Sequence, residues 1–199
     1  GILTLEEYLK FLYKFKKFSN FKEIKQANYH LTQSNYAYNY LKNKFDFVDY
    51  LSDYIREDLL NTKIVPINKK DDIICYNPQK SNEFMKLFIK RNNFKFIPLI
   101  NLNNEQIINI LSKSKIYMDI GSHPGKDRLP REAALLGNCI ITNLKGSAGN
   151  AYDISIPDEF KFKETYLNIN KIAKKIDLIF KNYDFEYKKF SSYNLKISN

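Results

Sequence analysis

The chain contains little glycine, proline or cysteine. Among its 199 residues, six are glycine, six are proline and two are cysteine. So few glycines and prolines exclude a collagen-like or low-complexity chain. Cys75 and Cys139 each lie in an apolar run, and no C-x-x-C pair or Cys/His cluster accompanies them. A disulfide scaffold and a zinc site are therefore excluded, and we expect neither a metal nor a cofactor.

Long hydrophobic runs are also absent. No stretch approaches the roughly eighteen apolar residues of a membrane-spanning helix. The first residues carry acidic side chains early and lack a small-residue cleavage site, so they do not match a signal peptide. We expect a cytoplasmic protein. Because the chain begins with Gly1 rather than Met, we also expect it to be part of a longer one.

Aromatic and charged residues are abundant. The 15 Tyr and 15 Phe, within a composition of 44% hydrophobic and 27% charged residues, are typical of a globular domain. The net charge is +10, but Lys outnumbers Arg about seven to one and the lysines are scattered. We therefore do not expect a nucleic-acid partner. The charge suits an anionic small molecule or the surface of an anionic membrane.

From Asp71 onward, short β-branched runs alternate with helical patterns. The spacing predicts strands over residues 72–76, 94–100, 115–120 and 138–143. Helices are predicted near residues 84–88, over 104–114 and 130–136, and in a long segment after Lys163. This alternation predicts a parallel α/β sheet, whose strands end at one edge where ligands bind.

The N-terminal pattern differs from the α/β part. It predicts an amphipathic helix over residues about 4–18, a short strand at 28–31 and a helix at 34–42 that Ser34 caps. The tail over residues 184–199 is rich in Tyr and Lys and is expected to be partly helical. The aromatic rings from Tyr183 to Tyr193 are expected to pack against a missing domain or, alternatively, to lie at a membrane interface. We place a boundary in the polar stretch after Leu60, which gives an N-terminal segment of residues 1–62 and an α/β domain of residues 63–199.

The segment from Asp119 to Asn150 has the densest set of chemically useful residues. Pro130 fits a first helical turn, and Leu129 before it offers no capping oxygen, so the free amides there favour an anion. Arg128 and Arg131 suit phosphate, and Glu132 suits adjacent ribose hydroxyls. His123 suits a phosphate, a sugar hydroxyl or a general base. The alternative is an ordinary helix start with surface ion pairs, Asp127 with Arg131 or Arg128 with Glu132.

The run REAALLGNCIITN, residues 131–143, resembles the Glu-Ala-x-x-x-Gly-x-x-Val-Ile segment of GT-B fold glycosyltransferases. The resemblance places Glu132 at the donor ribose, and it likens the small-residue loop over residues 145–150 to the family's Gly-Gly loop. Asn77-Pro78-Gln79-Lys80 is similar to the turn whose lysine meets the donor pyrophosphate. HPGKDRLPREAA is similar to a signature of bacterial surface-polysaccharide glycosyltransferase-like proteins.

The resemblance implies a Rossmann-like, nucleotide-sugar-binding C-terminal half of a metal-independent transferase acting in capsule or lipooligosaccharide biosynthesis. Residues 1–62 would then be a helical remnant of the first half, and the rest of that half would be a missing domain or a partner chain. A polysaccharide or lipid-linked acceptor and peripheral contact with the inner membrane are expected. The resemblance assigns no catalytic residue. The expected donor-binding residues are Lys80, His123, Gly125, Lys126, Arg128, Arg131, Glu132, Gly146 and Ser147.

Two positions depart from the family pattern. Pro124 stands where retaining members have a first Glu, and Cys75 stands where an arginine usually accompanies the pyrophosphate lysine. These departures keep two alternatives open. One is a non-catalytic module that binds a nucleotide or docks a partner, and the other is transfer of a different activated group, of phosphoryl type, to polysaccharide.

Overall fold

Two short parallel strands begin the described chain. The computed structural model describes residues 26–60, 65–66, 69–123 and 125–198, so the helix predicted near residues 4–18 lies outside it. Strands β1 (His30–Thr32) and β2 (Val48–Tyr50) pair in parallel across helix α1 (Asn35–Leu41), and α2 (Glu57–Leu60) follows. The Ser34 hydroxyl accepts from the Ala37 amide, which confirms the predicted cap. Strand β2 was not predicted from sequence.

A five-stranded parallel sheet forms the rest of the architecture. Its strands are β3 (Asp71–Tyr76), β4 (Lys95–Pro98), β5 (Ser114–Asp119), β6 (Cys139–Asn143) and β7 (Lys161–Phe162). They lie in the order β4-β3-β5-β6-β7, and every neighbouring pair is parallel. The predicted α/β fold with a parallel sheet is confirmed.

Helices connect these strands and pack on the sheet. They are α3 (Glu83–Arg91), α4 (Asn104–Lys113), α5 (Arg128–Leu135), α6 (Asn168–Lys181), α7 (Tyr183–Lys188) and α8 (Ser191–Ser198). Asparagines begin two of them: the Asn82 side chain accepts from the Met85 amide, and Asn103 forms a capping box with Gln106. Such caps satisfy amide groups that a helix start leaves without partners.

The core lies on both faces of the central strands β3, β5 and β6. Ile74, Ile116 and Ile140 are fully buried, as are Cys75 and Cys139, which confirms the expectation that both cysteines are core residues. Each fully buried aliphatic side chain stabilises the fold by about 1.5–3 kcal/mol relative to leaving it in water. Two-sided burial explains why these strands are continuous apolar runs in the sequence.

A buried lysine ties the ends of two helices together. The Lys70 ammonium donates to the carbonyl oxygens of Leu111, at 3.3 Å, and Leu136, at 2.8 Å, which end α4 and α5. It also donates to Ser114 O at 2.9 Å. The last carbonyls of a helix lack intrahelical donors, and a cation there opposes the negative end of the helix dipole. Burial lowers the pKa of Lys70 to about 8.

The aromatic tail packs on the domain itself. Tyr183, Phe190 and Tyr193 are buried, and the Tyr187 hydroxyl donates to Ala134 O in α5 at 2.9 Å. The expectation that these rings face a membrane or a missing domain is therefore wrong for this part of the tail. Within the described residues, no helix combines the length and the apolar character needed to cross a bilayer.

The N-terminal segment is joined to the α/β part through Asp153. Its carboxylate accepts from the backbone amides of Asn35, at 2.7 Å, and Tyr36, at 2.9 Å, at the start of α1. Asp153 is 1% exposed. A buried carboxylate at a helix N-terminus gains from charge-assisted hydrogen bonds and from the helix dipole. This contact holds β1, α1 and β2 against the edge where the candidate site lies.

Candidate functional site

The loops that follow β3, β5 and β6 meet at the carboxyl edge of the sheet. The turn over residues 77–80 follows β3, the loop over residues 120–127 follows β5, and a short 3-10 helix, Gly146–Gly149, follows β6. Ligands of parallel α/β sheets bind at this edge. All nine of the expected donor-binding residues lie on these loops or at the start of α5.

Asn77 shapes the turn that carries Lys80. The Asn77 side chain accepts from the Gln79 amide at 3.0 Å, and its carbonyl accepts from the Lys80 amide at 3.3 Å. Gly121 lies directly against this turn, since a Cβ on Gly121 would lie 1.9 Å from Lys80 O. Only glycine permits this approach, which brings the loop after β5 onto the turn after β3.

Helix α5 begins at Arg128, two residues before the predicted start at Pro130. Asp127 is its N-cap residue but makes no side-chain capping bond. Its carboxylate instead forms an ion pair with Lys80. One turn further, Arg128 Nε lies 3.0 Å from Glu132 Oε1. The second of the two ion pairs considered from sequence, Arg128 with Glu132, is therefore present.

A cleft of about 360 Å³ opens between this edge, the segment after β2 and the start of α4. Of the expected residues, Lys80, Arg128 and Glu132 line it. Sequence reasoning missed the other lining residues, which are Asp53, Arg56, Asn104, Ile107, Asp127 and Leu129. Asp127 could have been found from sequence, because it adjoins Arg128 in the charged segment. Asp53 and Arg56 lie far from that segment in sequence, and no sequence feature links them to the cleft.

Arg131 does not line the cleft, and its side chain instead joins two backbone segments. It is 4% exposed, and its guanidinium donates to Asp53 O at 2.9 Å and to Asp127 O at 3.3 Å. Arg131 therefore ties α5 to the segment after β2.

The remaining expected residues pack the loops on one another. The Ser147 amide donates to His123 O at 2.9 Å, and the Ser147 hydroxyl donates to Gly125 O at 2.6 Å. Gly146 has a φ of +55°, and a Cβ there would lie 1.9 Å from His123 O. None of these residues lines the cleft, and Lys126 points to the Tyr50 hydroxyl, 3.4 Å away.

His123 is buried beside two carboxylates. Its Nε2 lies 3.1 Å from the carbonyl oxygen of Asp119, and its Nδ1 lies 3.8 Å from the nearest carboxylate oxygens of Asp119 and Asp127. Burial raises the pKa of Asp119, although His123 opposes that shift. Sequence reasoning placed Asp119 at a strand end, where it is the last residue of β5, but did not connect it with His123.

Glu164 braces the end of β6 and was missed from sequence. Its carboxylate accepts from Asn143 Nδ2 at 2.7 Å and from Asn82 Nδ2 at 2.5 Å, and it forms an ion pair with Lys145. Burial acts to raise the pKa of Glu164, but the hydrogen bonds from Lys145, Asn143 and Asn82 lower it overall. The network fixes the loop that carries Gly146 and Ser147.

Comparison with known proteins gives a match in fold only. No protein-family model and no curated protein sequence matches the chain. Among solved structures, the sucrose-phosphate synthase of Thermosynechococcus elongatus superposes with a TM-score of 0.61 over 94% of this chain, at 10% sequence identity. The chain therefore shares an α/β fold with that synthase. It spans about 60% of the length of that synthase, and its parallel sheet is consistent with one Rossmann-like half of a GT-B enzyme.

Proposed function

We propose that this chain is the nucleotide-sugar-binding half of a glycosyltransferase-like protein and that its cleft holds the diphosphate of the donor. One observation carries the proposal: Lys80, Arg128 and Glu132 come together in one cleft at the carboxyl edge of the sheet. Those three residues are the positions that resemble the family's pyrophosphate and ribose contacts.

Both cations are accessible to a ligand. The Lys80 and Arg128 side chains are 43% and 46% exposed, and each is paired with a carboxylate. A diphosphate replaces those carboxylates as the partner of the two cations, with the gain of bidentate contacts to Arg128. Glu132, released from Arg128, then accepts from ribose hydroxyls. The exchange takes the Lys80 ammonium away from the Asp127 carboxylate, a cost that the contacts of the diphosphate with Lys80 and Arg128 must exceed.

The start of α5 adds to this anion site. Asp127 leaves the first amides of α5 without a side-chain cap, and the N-terminal end of a helix favours negative charge. As the bond to the sugar breaks, negative charge develops on the leaving diphosphate. Lys80, Arg128 and these amides stabilise that charge in place, which lowers the barrier to transfer.

The acceptor side belongs to the other half of the protein in this proposal. A second Rossmann-like half, in the same protein or in a partner, binds the polysaccharide or lipid-linked acceptor. We place the reaction in capsule or lipooligosaccharide synthesis at the cytoplasmic face of the inner membrane. The net charge of +10 supports contact with an anionic surface and an anionic donor.

A second candidate function is nucleotide binding without catalysis. Pro124 occupies the position of the first Glu in retaining enzymes, and this sequence feature favours it. Sugar transfer and nucleotide binding without catalysis would use the same cleft, and only the first would release product. In either case we expect this chain alone to transfer very little sugar, because the acceptor half is missing. Rapid transfer by this chain alone would show a complete minimal enzyme instead.

A thermal-unfolding screen of nucleosides, nucleoside diphosphates and nucleotide sugars tests the proposal. At a ligand concentration of about 100 times Kd, binding stabilises the fold by about 2.7 kcal/mol. For a chain of this size that corresponds to a rise in Tm of about 5–10 °C. Lys80→Gln is expected to lose most of the rise given by a diphosphate. The matched control is Lys86→Gln, since Lys86 forms a surface ion pair with Glu83 on α3.

Two outcomes would contradict the proposal. The first is a screen in which no nucleotide raises the Tm of the wild-type chain. The second is an equal rise in Lys80→Gln and in the wild type, which would place the nucleotide elsewhere.

A further inference from the structure

Three side chains at and just after the end of β5 bring possible metal-ligand atoms close together. They are Asp119, His123 and Asp127, whose nearest ring nitrogen and carboxylate oxygens all lie within 4.8 Å of one another. His123 Nδ1 is 3.8 Å from Oδ2 of each aspartate. A direct hydrogen bond is shorter than about 3.2 Å, so the ring does not bond to either carboxylate.

Asp119 is the feature that requires an explanation. Its side chain is buried at the end of a central strand, and its Oδ2 has no hydrogen-bond partner among the described residues. The Oδ2 of Asp127 is also buried and without a hydrogen bond. A buried carboxylate oxygen without a donor is costly, and proteins usually compensate it with a cation or a metal.

The orientation of His123 directs Nδ1 toward these oxygens. His123 Nε2 lies 3.1 Å from Asp119 O, and a carbonyl oxygen only accepts, so Nε2 carries the proton. In the neutral ring, Nδ1 is then an acceptor that faces two carboxylates. Metal-binding histidines characteristically donate their second ring nitrogen to a backbone carbonyl in this way.

We propose that Asp119, His123 and Asp127 bind a divalent cation, Mn²⁺ or Zn²⁺, through His123 Nδ1 and one oxygen of each aspartate. The sequence argument against a metal considered only cysteine-containing sites, and this site contains no cysteine. Metal bonds of about 2.0–2.2 Å set ligand atoms about 3–4 Å apart, which matches the 3.8 Å separations. One imidazole with two carboxylates suits these two metals better than Mg²⁺ or Ca²⁺.

The site adjoins the cleft through Asp127. Asp127 lines the cleft and is paired with Lys80, so the cation competes with the Lys80 ammonium for the same carboxylate. Three protein ligands leave one or more positions of the cation open. This inference does not depend on the donor proposal, because it rests on the buried atoms alone and its test uses the metal alone.

Titration of the full chain with MnCl₂ or ZnCl₂, followed by calorimetry and thermal unfolding, measures the binding. One ion per chain is expected, with a rise in Tm. Asp119→Asn and His123→Gln should each weaken the ion's affinity about 10- to 100-fold or more. Lys80→Gln should strengthen it, because Asp127 loses its competing partner. The matched controls are Asp177→Asn, at an exposed position of α6, and His30→Gln, the other histidine of the sequence.

A measurement on the wild-type chain keeps the test valid if a variant fails to fold. The nitrogen NMR signals of the two histidine rings report protonation and metal contact for each ring. Added Zn²⁺ should shift Nδ1 of His123 and leave His30 unchanged. The proposal is overturned if both rings are unmoved, or if Asp119→Asn binds the ion as tightly as the wild type. A His123 ring that stays doubly protonated with metal present would show a buried ion-pair cluster instead.

Discussion

Replacing Arg128 by alanine distinguishes a phosphate contact from a ribose contact. Arg128 and Glu132 are four residues apart on α5, and their side chains are 46% and 9% exposed. Because the Glu132 carboxylate is largely buried, the substitution should cost more than the roughly 0.3–0.5 kcal/mol of an exposed pair of this spacing. Urea unfolding of Arg128→Ala measures that cost, and ligand affinities are compared on the folded variant.

The loss of affinity should depend on the phosphates. A charge-assisted contact is worth about 1.5–3 kcal/mol, so a nucleoside diphosphate should bind about 10- to 150-fold more weakly to Arg128→Ala. The bare nucleoside should bind within about twofold of the wild type, because its ribose needs Glu132, which the substitution leaves in place. Glu132→Ala should weaken both ligands, by about 1–3 kcal/mol.

Calorimetric titration of both ligands into both variants provides the measurement. The matched control is Arg91→Ala, since Arg91 lies on α3 over the Tyr166 ring and away from the cleft. Equal losses for the nucleoside and the diphosphate in Arg128→Ala would refute the reasoning. So would a larger, diphosphate-specific loss in a folded Arg131→Ala variant.

Three further predictions concern the framework of the site. Lys70→Met removes a donor from three buried carbonyls, although Leu111 O keeps Asn138 Nδ2 at 2.7 Å, and should cost about 2–4 kcal/mol in urea unfolding. Burial lowers the pKa of Lys70 from 10.5 to about 8. Between these pH values the unfolded chain therefore binds more protons than the folded chain. The stability of the wild type relative to Lys70→Met should accordingly increase as pH rises from about 8 to 10.5. Asp153→Ala should cost about 2–3 kcal/mol, because two amides of α1 lose a buried acceptor. Gly146→Ala should cost about 2 kcal/mol or more, because the residue has a positive φ and its Cβ would contact His123 O. Gly125→Ala is the control and should be nearly neutral. Thermal unfolding of the two variants measures the difference.

The layout of the sheet could be predicted from sequence because burial on both faces produces apolar runs. Strand β6 was expected over residues 138–143 and forms over Cys139–Asn143, and Ser34 caps α1 as its residue type suggests. Helix α5 begins earlier than predicted, because Pro130 is tolerated anywhere in a first turn, where its missing N–H costs nothing.

The partners of the site residues could not be predicted. The four-residue spacing of Arg128 and Glu132 is visible in sequence, but the same spacing serves an ion pair and a ligand contact equally well. Lys80 and Asp127 are 47 residues apart, and their pairing depends on how two loops meet above the sheet. The members of the cluster around Asp119 lie in one short stretch of sequence, and the cluster was missed because a strand end, a loop and a helix cap each supply one member and residue spacing does not give the path of the loop.

Mapping of backbone amide NMR shifts during titration with a nucleoside diphosphate tests the central claim most directly. We predict that the largest shifts fall on the turn at Lys80 and on residues 127–132, which border the cleft. A second cleft, beside Lys115 and Tyr183, lies near the start of β5 and serves as an internal control that should stay unchanged. Shifts centred on that second cleft, or no shifts at millimolar ligand, would contradict the assignment of the donor diphosphate to the carboxyl edge of the sheet.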